Sequence, residues 1–135
     1  MAGLWVKPVS DNRPRIIHAV DDDDDVRDSM RVLLESFGYM VRTFASPAEF
    51  LRDPEGGKAD CLLVDLQMPG MTGLELLKQL RTRGVRTPAI LITANDDILE
   101  SLPARAEVLT VLRKPAAGDE LLQWIERACA RAERP

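Results

Sequence analysis

Polar side chains stand in this sequence wherever an apolar, strand-like run ends. They are Asp21 and Asp22 after residues 16–20, Asp65 after 61–64, Thr93 after 89–92, and Arg113 and Lys114 after 108–112. In an open parallel sheet, the carboxyl ends of the strands border the crevice where ligands bind. The spacing therefore predicts one site that combines three acids, a hydroxyl and an amine.

The three predicted acids would repel one another unless a cation joins them. Two like charges about 4 Å apart cost roughly 4 kcal/mol at an effective dielectric near 20. Magnesium prefers hard oxygen ligands and is usually held by one or two carboxylates. We expect Asp21, Asp22 and Asp65 to bind Mg²⁺, with Mn²⁺ as an alternative ion and the backbone carbonyl of Gln67 as a further ligand. Without metal, at least one carboxylate should have a raised pKa because of the neighbouring negative charge.

A carboxylate in such a site can also act as a nucleophile. It can attack a phosphoryl group and form an acyl phosphate, provided that a metal and a positive side chain stabilise the developing charge. Lys114 supplies a compact ammonium charge, and Thr93 supplies a hydroxyl that can donate one hydrogen bond. The residue types therefore fit phosphoryl chemistry.

Strand-like and helix-like segments alternate along the whole sequence. Strands are predicted at about 15–20, 39–44, 60–64, 88–92 and 108–112, and helices at about 25–37, 47–52, 72–82, 96–102 and 118–131. This alternation predicts βαβ units with a parallel sheet. Right-handed crossovers would then bring the loops after strands one, three, four and five to one crevice. Pro103 interrupts the fourth helix, which we expect to be short or broken.

Several helix boundaries are marked by local signals. The first helix has an apolar stripe that should lie on the sheet, formed by Val26, Met30, Leu33, Leu34 and Phe37. Gly38 is placed to end that helix. Capping boxes are predicted at residues 46–49 and 72–75, and the first of them has Pro47 at the first helical position.

Length and composition limit the class of protein. The chain has 135 residues, of which 45% are hydrophobic, and this fits one domain. A net charge of -4 argues against nucleic acid as a partner. Residues 1–14 lack a signal-peptide core and a membrane span, so we interpret them as a flexible leader. Cys61 and Cys129 have no metal-ligand spacing and are expected as buried, reduced thiols, which fits a cytoplasmic location.

Two side-chain types that often carry function have plainer interpretations here. His18 has no second ligand beside it and is expected to be a strand residue that makes one hydrogen bond. Among the acids that follow Asp22, one is expected to cap the first helix and the others to place negative charge at its positive end. Asp28 is expected to face solvent.

Four segments taken together resemble the receiver domain of two-component response regulators over about residues 15–131. They are Val20-Asp21-Asp22, Val64-Asp65-Leu66-Gln67-Met68-Pro69-Gly70-Met71-Thr72-Gly73, Leu91-Ile92-Thr93-Ala94 and Arg113-Lys114-Pro115. The resemblance implies a flavodoxin-like α/β fold for residues 15–135. Its doubly wound, five-stranded parallel sheet has the order 2-1-3-4-5, with helices on both faces.

The resemblance also implies a role for each residue of the site. Asp65 is the phospho-acceptor, Asp21 and Asp22 hold magnesium, and Thr93 is the switching hydroxyl. Lys114 contacts the phosphoryl group and precedes Pro115 through a cis peptide. A histidine kinase or a histidine phosphotransfer protein would donate the phosphoryl group, and slow hydrolysis would follow. Such a domain is no conventional enzyme, since it catalyses only its own phosphorylation and dephosphorylation.

Departures from the family pattern keep a second interpretation open. Val111 stands three residues before Lys114, where the family has an aromatic residue that couples to the hydroxyl, and Ala116 replaces another frequent aromatic. Val111 and the interrupted fourth helix favour, as the alternative, a receiver-like adaptor regulated without phosphorylation. A third candidate, an aspartate-based phosphatase, would need an acid two residues after the nucleophile, but that position is Gln67.

The resemblance further points to a single-domain regulator, unless the sequence is an excised fragment. Such a regulator would signal through contacts with an unknown protein target and not through nucleic acid or a membrane. The face formed by the fourth helix, the fifth strand and the fifth helix could support a homodimer.

Overall fold

A five-stranded parallel sheet organises the chain in a computed structural model that describes residues 13–94, 108–114 and 118–132. The strands are β1 (Ile16–Val20), β2 (Met40–Phe44), β3 (Cys61–Asp65), β4 (Ala89–Thr93) and β5 (Thr110–Arg113). The helices are α1 (Asp24–Ser36), α2 (Pro47–Arg52), α3 (Gly73–Thr82) and α4 (Gly118–Ala132), the last being the fifth helix predicted from the sequence. The strand order is β2-β1-β3-β4-β5, and every neighbouring pair is parallel, which confirms the predicted topology.

The sheet has an apolar core on each face because successive strand residues point to opposite sides. On one face, side chains such as Ile17, Leu63 and Ile90 pack against α1 and α4. On the other face, Val64 and Leu91 belong to a core that includes apolar residues of α2 and α3. All residues of β3 and β4 are buried, as expected for central strands covered by helices on both sides.

Helix α1 ends where the sequence predicted but loses one residue of its predicted apolar stripe. Gly38 has a φ of +92°, and the amides of Gly38 and Tyr39 donate to the carbonyls of Glu35 and Leu34. This pair of bonds is a Schellman cap. Phe37 is 60% exposed, so its assignment to the sheet-facing stripe was wrong. The chain already leaves the helical path at Phe37, and its ring no longer follows the helical stripe.

The helix starts also follow local sequence signals. Asp23 caps α1 by accepting hydrogen bonds from the amides of Asp25 and Val26. Thr72 and Glu75 form the complete predicted capping box of α3. Ser46 caps α2 by accepting from the amide of Glu49 at 3.0 Å. These side chains satisfy amides that have no partner within the helix, and so they fix where each helix begins.

Several predictions concern residues outside the described ranges. They are residues 1–12 of the leader predicted at 1–14, the fourth predicted helix at about 96–102 with Pro103, and the segment at 115–117 with the proposed cis peptide before Pro115.

His18 behaves as the sequence predicted for a strand residue. It is 2% exposed, and its Nδ1 lies 2.6 Å from the carbonyl oxygen of Gly56. Its ring packs edge-on against Phe44 and Phe50, with centroid distances of 5.5 and 6.2 Å. Burial lowers the pKa of His18 below 6.5, so the ring is neutral at pH 7 and serves to pack β1 against α2.

Candidate functional site

Two of the predicted acids lie side by side at the carboxyl edge of the sheet. Val20 of β1 pairs with Val64 of β3, so the next residues, Asp21 and Asp65, leave neighbouring strands at the same level. The amide of Asp21 donates to the carbonyl of Phe44 and extends the β1–β2 ladder by one bond. Asp21 is 1% exposed and Asp65 is 5% exposed. The parallel register therefore places two carboxyl groups in a largely dry crevice.

Asp22 is the third acid of the group and lies on its solvent-exposed side. It is exposed, in contrast to the other two acids. Asp21, Asp22 and Asp65 each offer a carboxylate oxygen such that these oxygens all lie within 4.8 Å of one another. Three hard oxygen donors at this separation suit a divalent cation, and the triad could bind a metal. The predicted convergence of the three acids is thus present in the fold.

Lys114 faces both buried acids of the triad. Its Nζ lies 3.0 Å from Oδ2 of Asp21 and 3.4 Å from Oδ2 of Asp65. The amide of Lys114 donates to the carbonyl of Thr93 at 2.7 Å, which continues the pairing of β5 with β4 beyond Arg113. This backbone bond anchors the lysine at the sheet edge, from which its side chain reaches past the end of β4 to the acids.

The acidic environment changes the proton affinity of Asp65. Its pKa is raised from 3.8 to about 6, first because burial disfavours the charged form and second because Asp21 lies nearby. The charge of Lys114 opposes this shift. The predicted rise in pKa is present, although burial contributes more than the neighbouring charge from which it was predicted.

Lys114 stays firmly protonated in this setting. Burial alone would lower the pKa of its ammonium, but the hydrogen bond and charge of Asp21, followed by the charge of Asp65, raise it above 10.5. A positive charge is therefore fixed beside the two buried carboxyl groups throughout the physiological pH range.

The remaining predicted residues occupy different parts of the crevice. Thr93 ends β4, between β3 and β5, and is fully buried. Gln67 is exposed, and its backbone amide donates to Oδ1 of Asp65 at 3.2 Å, so the turn after β3 orients this carboxyl group. Val111 is half-buried, pairs with Leu91 in the sheet and packs against the core on the α3 side.

Two contributors to the site were not identified from the sequence. Gly73, the first residue of α3, lies so close to β3 that an added Cβ would stand 2.4 Å from the carbonyl oxygen of Asp65. Arg27 of α1 donates from Nη1 to the carbonyl oxygen of Asp21 at 2.6 Å. The signal available for Arg27 was its spacing of three from Asp24, which is common on helix surfaces. Gly73 was assigned only to a capping box.

A family model described as the response regulator receiver domain matches residues 17–126. The response regulator protein TodT of Pseudomonas putida is 34% identical over 118 residues, which cover 87% of this chain and 52% of TodT. The chain thus spans about half the length of that curated relative.

Solved structures of response regulators are also similar to this chain. A CheY-like response regulator receiver domain protein from Methanospirillum hungatei superposes with a TM-score of 0.80 at 28% identity, covering 89% of this chain and 97% of that one. The response regulator TrrA from Thermotoga maritima, solved in complex with Mg(2+)-BeF, gives 0.76 at 27% identity, covering 84% and 98% of the two chains. Within the described ranges, no helix combines the length and apolarity that a membrane span requires.

Proposed function

The chain belongs to the response regulator receiver domain family, and we propose that Asp65 is the residue that accepts the phosphoryl group. Receiver domains interact with histidine kinases, are phosphorylated on an aspartate and are not conventional enzymes. The observation that carries the assignment is the position of the Asp65 carboxyl group, 3.4 Å from Lys114 and within the acidic triad. The donor would be a histidine kinase or a histidine phosphotransfer protein.

The proposed reaction is an in-line displacement at phosphorus. Oδ1 of Asp65 is held by the amide of Gln67, while Oδ2 faces Lys114. With a pKa of about 6, Asp65 is mostly ionised at pH 7 and can attack. A bond forms between a carboxylate oxygen and phosphorus as the bond from phosphorus to the donor's histidine nitrogen breaks. The ammonium of Lys114 stabilises the negative oxygens of the transferred group.

The same site suits a magnesium ion, with manganese as an alternative. Asp21, Asp22 and Asp65 would hold it, together with the backbone carbonyl of Gln67. The hard-oxygen donor set and the 4.8 Å limit on the oxygen separations support this proposal. When bound, the ion would neutralise charge on the acids and on the phosphoryl oxygens.

Thr93 is proposed as the hydroxyl that responds to phosphorylation. Its burial at the end of β4 and the hydrogen bond that its carbonyl accepts from the amide of Lys114 support this proposal. In the usual response, an aromatic side chain on β5 would change rotamer when this hydroxyl moves. Val111 has no ring, so we expect the signal to leave through another element.

The observation at Val111 also favours a second candidate, a receiver-like adaptor whose regulation does not depend on phosphorylation. Here the crevice would be retained while the output face binds its partner constitutively. Binding of the unknown protein target would then be equal with and without a phosphodonor. For the leading proposal, phosphorylation should change that binding.

Incubation with Mg²⁺ and a small phosphodonor, followed by mass spectrometry of the intact protein, tests whether Asp65 accepts the phosphoryl group. The wild type should gain one phosphoryl group, and Asp65→Asn should gain none while keeping its fold. Asp28→Asn is the matched control because Asp28 is an exposed helix acid outside the triad. Labelling of Asp65→Asn at the wild-type stoichiometry would reject the assignment. An unlabelled wild type that also shows no spectral change with beryllofluoride would favour the adaptor.

The chain spans about half the length of its relative TodT, and we propose that the whole protein signals through protein contacts in the cytoplasm. Two buried free thiols, Cys61 and Cys129, support a reducing compartment. The acidic net charge of -4 supports partners other than nucleic acid.

A further inference from the structure

Arg27 connects helix α1 back to the strand end that carries the acidic pair. Its Nη1 donates to the carbonyl oxygen of Asp21 at 2.6 Å, and its Nη2 donates to the carboxylate of Asp24. The side chain is only 14% exposed, although Asp24 itself is 84% exposed. The guanidinium therefore lies inward, over the connection between β1 and α1. It donates one hydrogen bond to the end of β1 and another to the start of α1.

The carbonyl that Arg27 holds belongs to the peptide between Asp21 and Asp22. The rest of Asp21 is already fixed, because its amide donates to Phe44 and its Oδ1 accepts from the amide of Asp23 at 2.9 Å. The bond from Arg27 fixes the third polar group of this residue. Rotation of this peptide would turn the Asp22 side chain relative to Asp21. The bond is also charge-assisted and hence stronger than a bond between neutral groups.

We propose that Arg27 is a positioning residue that fixes the Asp21–Asp22 peptide so that both carboxylates face Asp65 and bind the divalent ion tightly. This inference rests on the proposed function of the triad. A purely structural role would be the ion pair with Asp24, but Asp24 is solvent-exposed, and ion pairs at the protein surface contribute only about 0 to 1 kcal/mol to stability. The bond to the Asp21 carbonyl is the contact that relates Arg27 to the triad.

The test compares Arg27→Ala and Arg27→Lys with Arg31→Ala as the matched control. Arg31 lies one turn further along α1, is exposed, and donates to Oγ1 of Thr43 at 2.9 Å, away from the acids. Calorimetric titration with Mg²⁺ should show an affinity about 10-fold weaker for Arg27→Ala, since groups that orient metal ligands typically contribute 10- to 100-fold. Arg27→Lys should fall between alanine and wild type, because an ammonium keeps the charge but lacks the forked donors. Arg31→Ala should match the wild type.

Amide exchange of Asp23, measured by NMR without metal, gives a readout independent of the ion. Exchange should be faster in Arg27→Ala and Arg27→Lys than in Arg31→Ala, because the turn that holds this amide on Asp21 would loosen.

Wild-type Mg²⁺ affinity and wild-type exchange in a folded Arg27 variant would overturn the inference while leaving the function of Asp65 intact. If Arg27→Ala does not fold, the lysine variant decides by the same two measurements. Failure of the wild type to bind Mg²⁺ would instead count against the proposed function, and the exchange data would still decide whether Arg27 holds the turn.

Discussion

At the scale of single residues, the charge of Lys114 and the burial of Asp65 shift the pKa of the Asp65 carboxyl group in opposite directions. The ammonium, 3.4 Å from Oδ2, favours the ionised form, whereas burial and Asp21 favour the protonated form and prevail. The balance leaves Asp65 with a pKa of about 6. Because this value lies just below pH 7, Asp65 can act as a nucleophile at that pH, and changes in its neighbours can be measured as changes in its pKa.

Removal of the ammonium in Lys114→Ala should raise the pKa of Asp65 further above 6, because a nearby positive charge that opposes the shift is lost. A carboxyl-carbon NMR titration of Asp65 without metal measures this. Lys58→Ala is the control, since Lys58 is exposed and pairs with Glu55. The variant should also weaken the spectral response to beryllofluoride more than the affinity for Mg²⁺. Equal losses of both, or an unchanged pKa, would contradict this division of roles.

The raised pKa of Asp65 also predicts how stability depends on pH. The folded protein binds the proton more tightly than the unfolded chain, so stability falls as the pH rises from 3.8 to about 6 and stays lower above that. Asp65→Asn should therefore be more stable than the wild type at pH 8 without Mg²⁺, on the order of 1 to 3 kcal/mol, and nearly equal at pH 4. Urea unfolding at both pH values tests this, and the contribution of His18 cancels in the comparison. A wild type more stable than the variant at pH 8 would refute it.

At the scale of elements, the approach of α3 to β3 depends on the absence of a side chain at Gly73. A Cβ there would lie 2.4 Å from the carbonyl oxygen of Asp65 and 2.9 Å from Cγ1 of Val64. Neither neighbour can move freely, because one is backbone and the other is buried in the core. The amide of Gly73 donates to the carbonyl of Leu66, which further ties the helix to the turn after β3.

Gly73→Ala should destabilise the fold by about 1 to 3 kcal/mol, the usual cost of overpacking a closed contact. Gly118→Ala is the matched control because Gly118 also begins a helix, yet a Cβ there would meet Leu33 at an ordinary 3.9 Å. Thermal or urea unfolding should show a loss for Gly73→Ala and no loss for Gly118→Ala. Similar effects of the two substitutions would mean that helix propensity, and not contact with Asp65, governs these positions.

At the scale of the whole molecule, the two cores support a sheet whose carboxyl edge carries concentrated negative charge. A cation that binds only the folded triad should stabilise the entire domain, by about 2.7 kcal/mol at a concentration 100 times its dissociation constant. Asp22→Ala should lose this increase but keep its stability without metal, because Asp22 is exposed. Asp28→Ala should retain the increase. Thermal unfolding with and without Mg²⁺ measures both, and an unchanged increase in Asp22→Ala would exclude Asp22 as a ligand.

The sequence by itself determined the order of the elements that the structure describes, their approximate bounds and the residues at the strand ends. These features follow from short-range signals: apolar periodicity, the capping residues Ser46 and Thr72, and Gly38. The topology and the meeting of Asp21 with Asp65 followed from general rules for parallel sheets and from the resemblance to a family. Local patterning assigned Phe37 wrongly, because periodicity does not show where the end of a helix leaves the sheet.

Only the tertiary structure determined the contacts among the side chains of the site and the effect of those contacts on charge. The placement of Lys114 against two carboxyl groups, the fit of Gly73 against the Asp65 carbonyl and the bond from Arg27 to Asp21 all join separate elements. The main cause of the raised pKa of Asp65, its burial, is likewise a property of the packed domain. Local sequence fixes backbone tendencies over a few residues, whereas distances and solvent exclusion at the site depend on how the helices pack on the sheet.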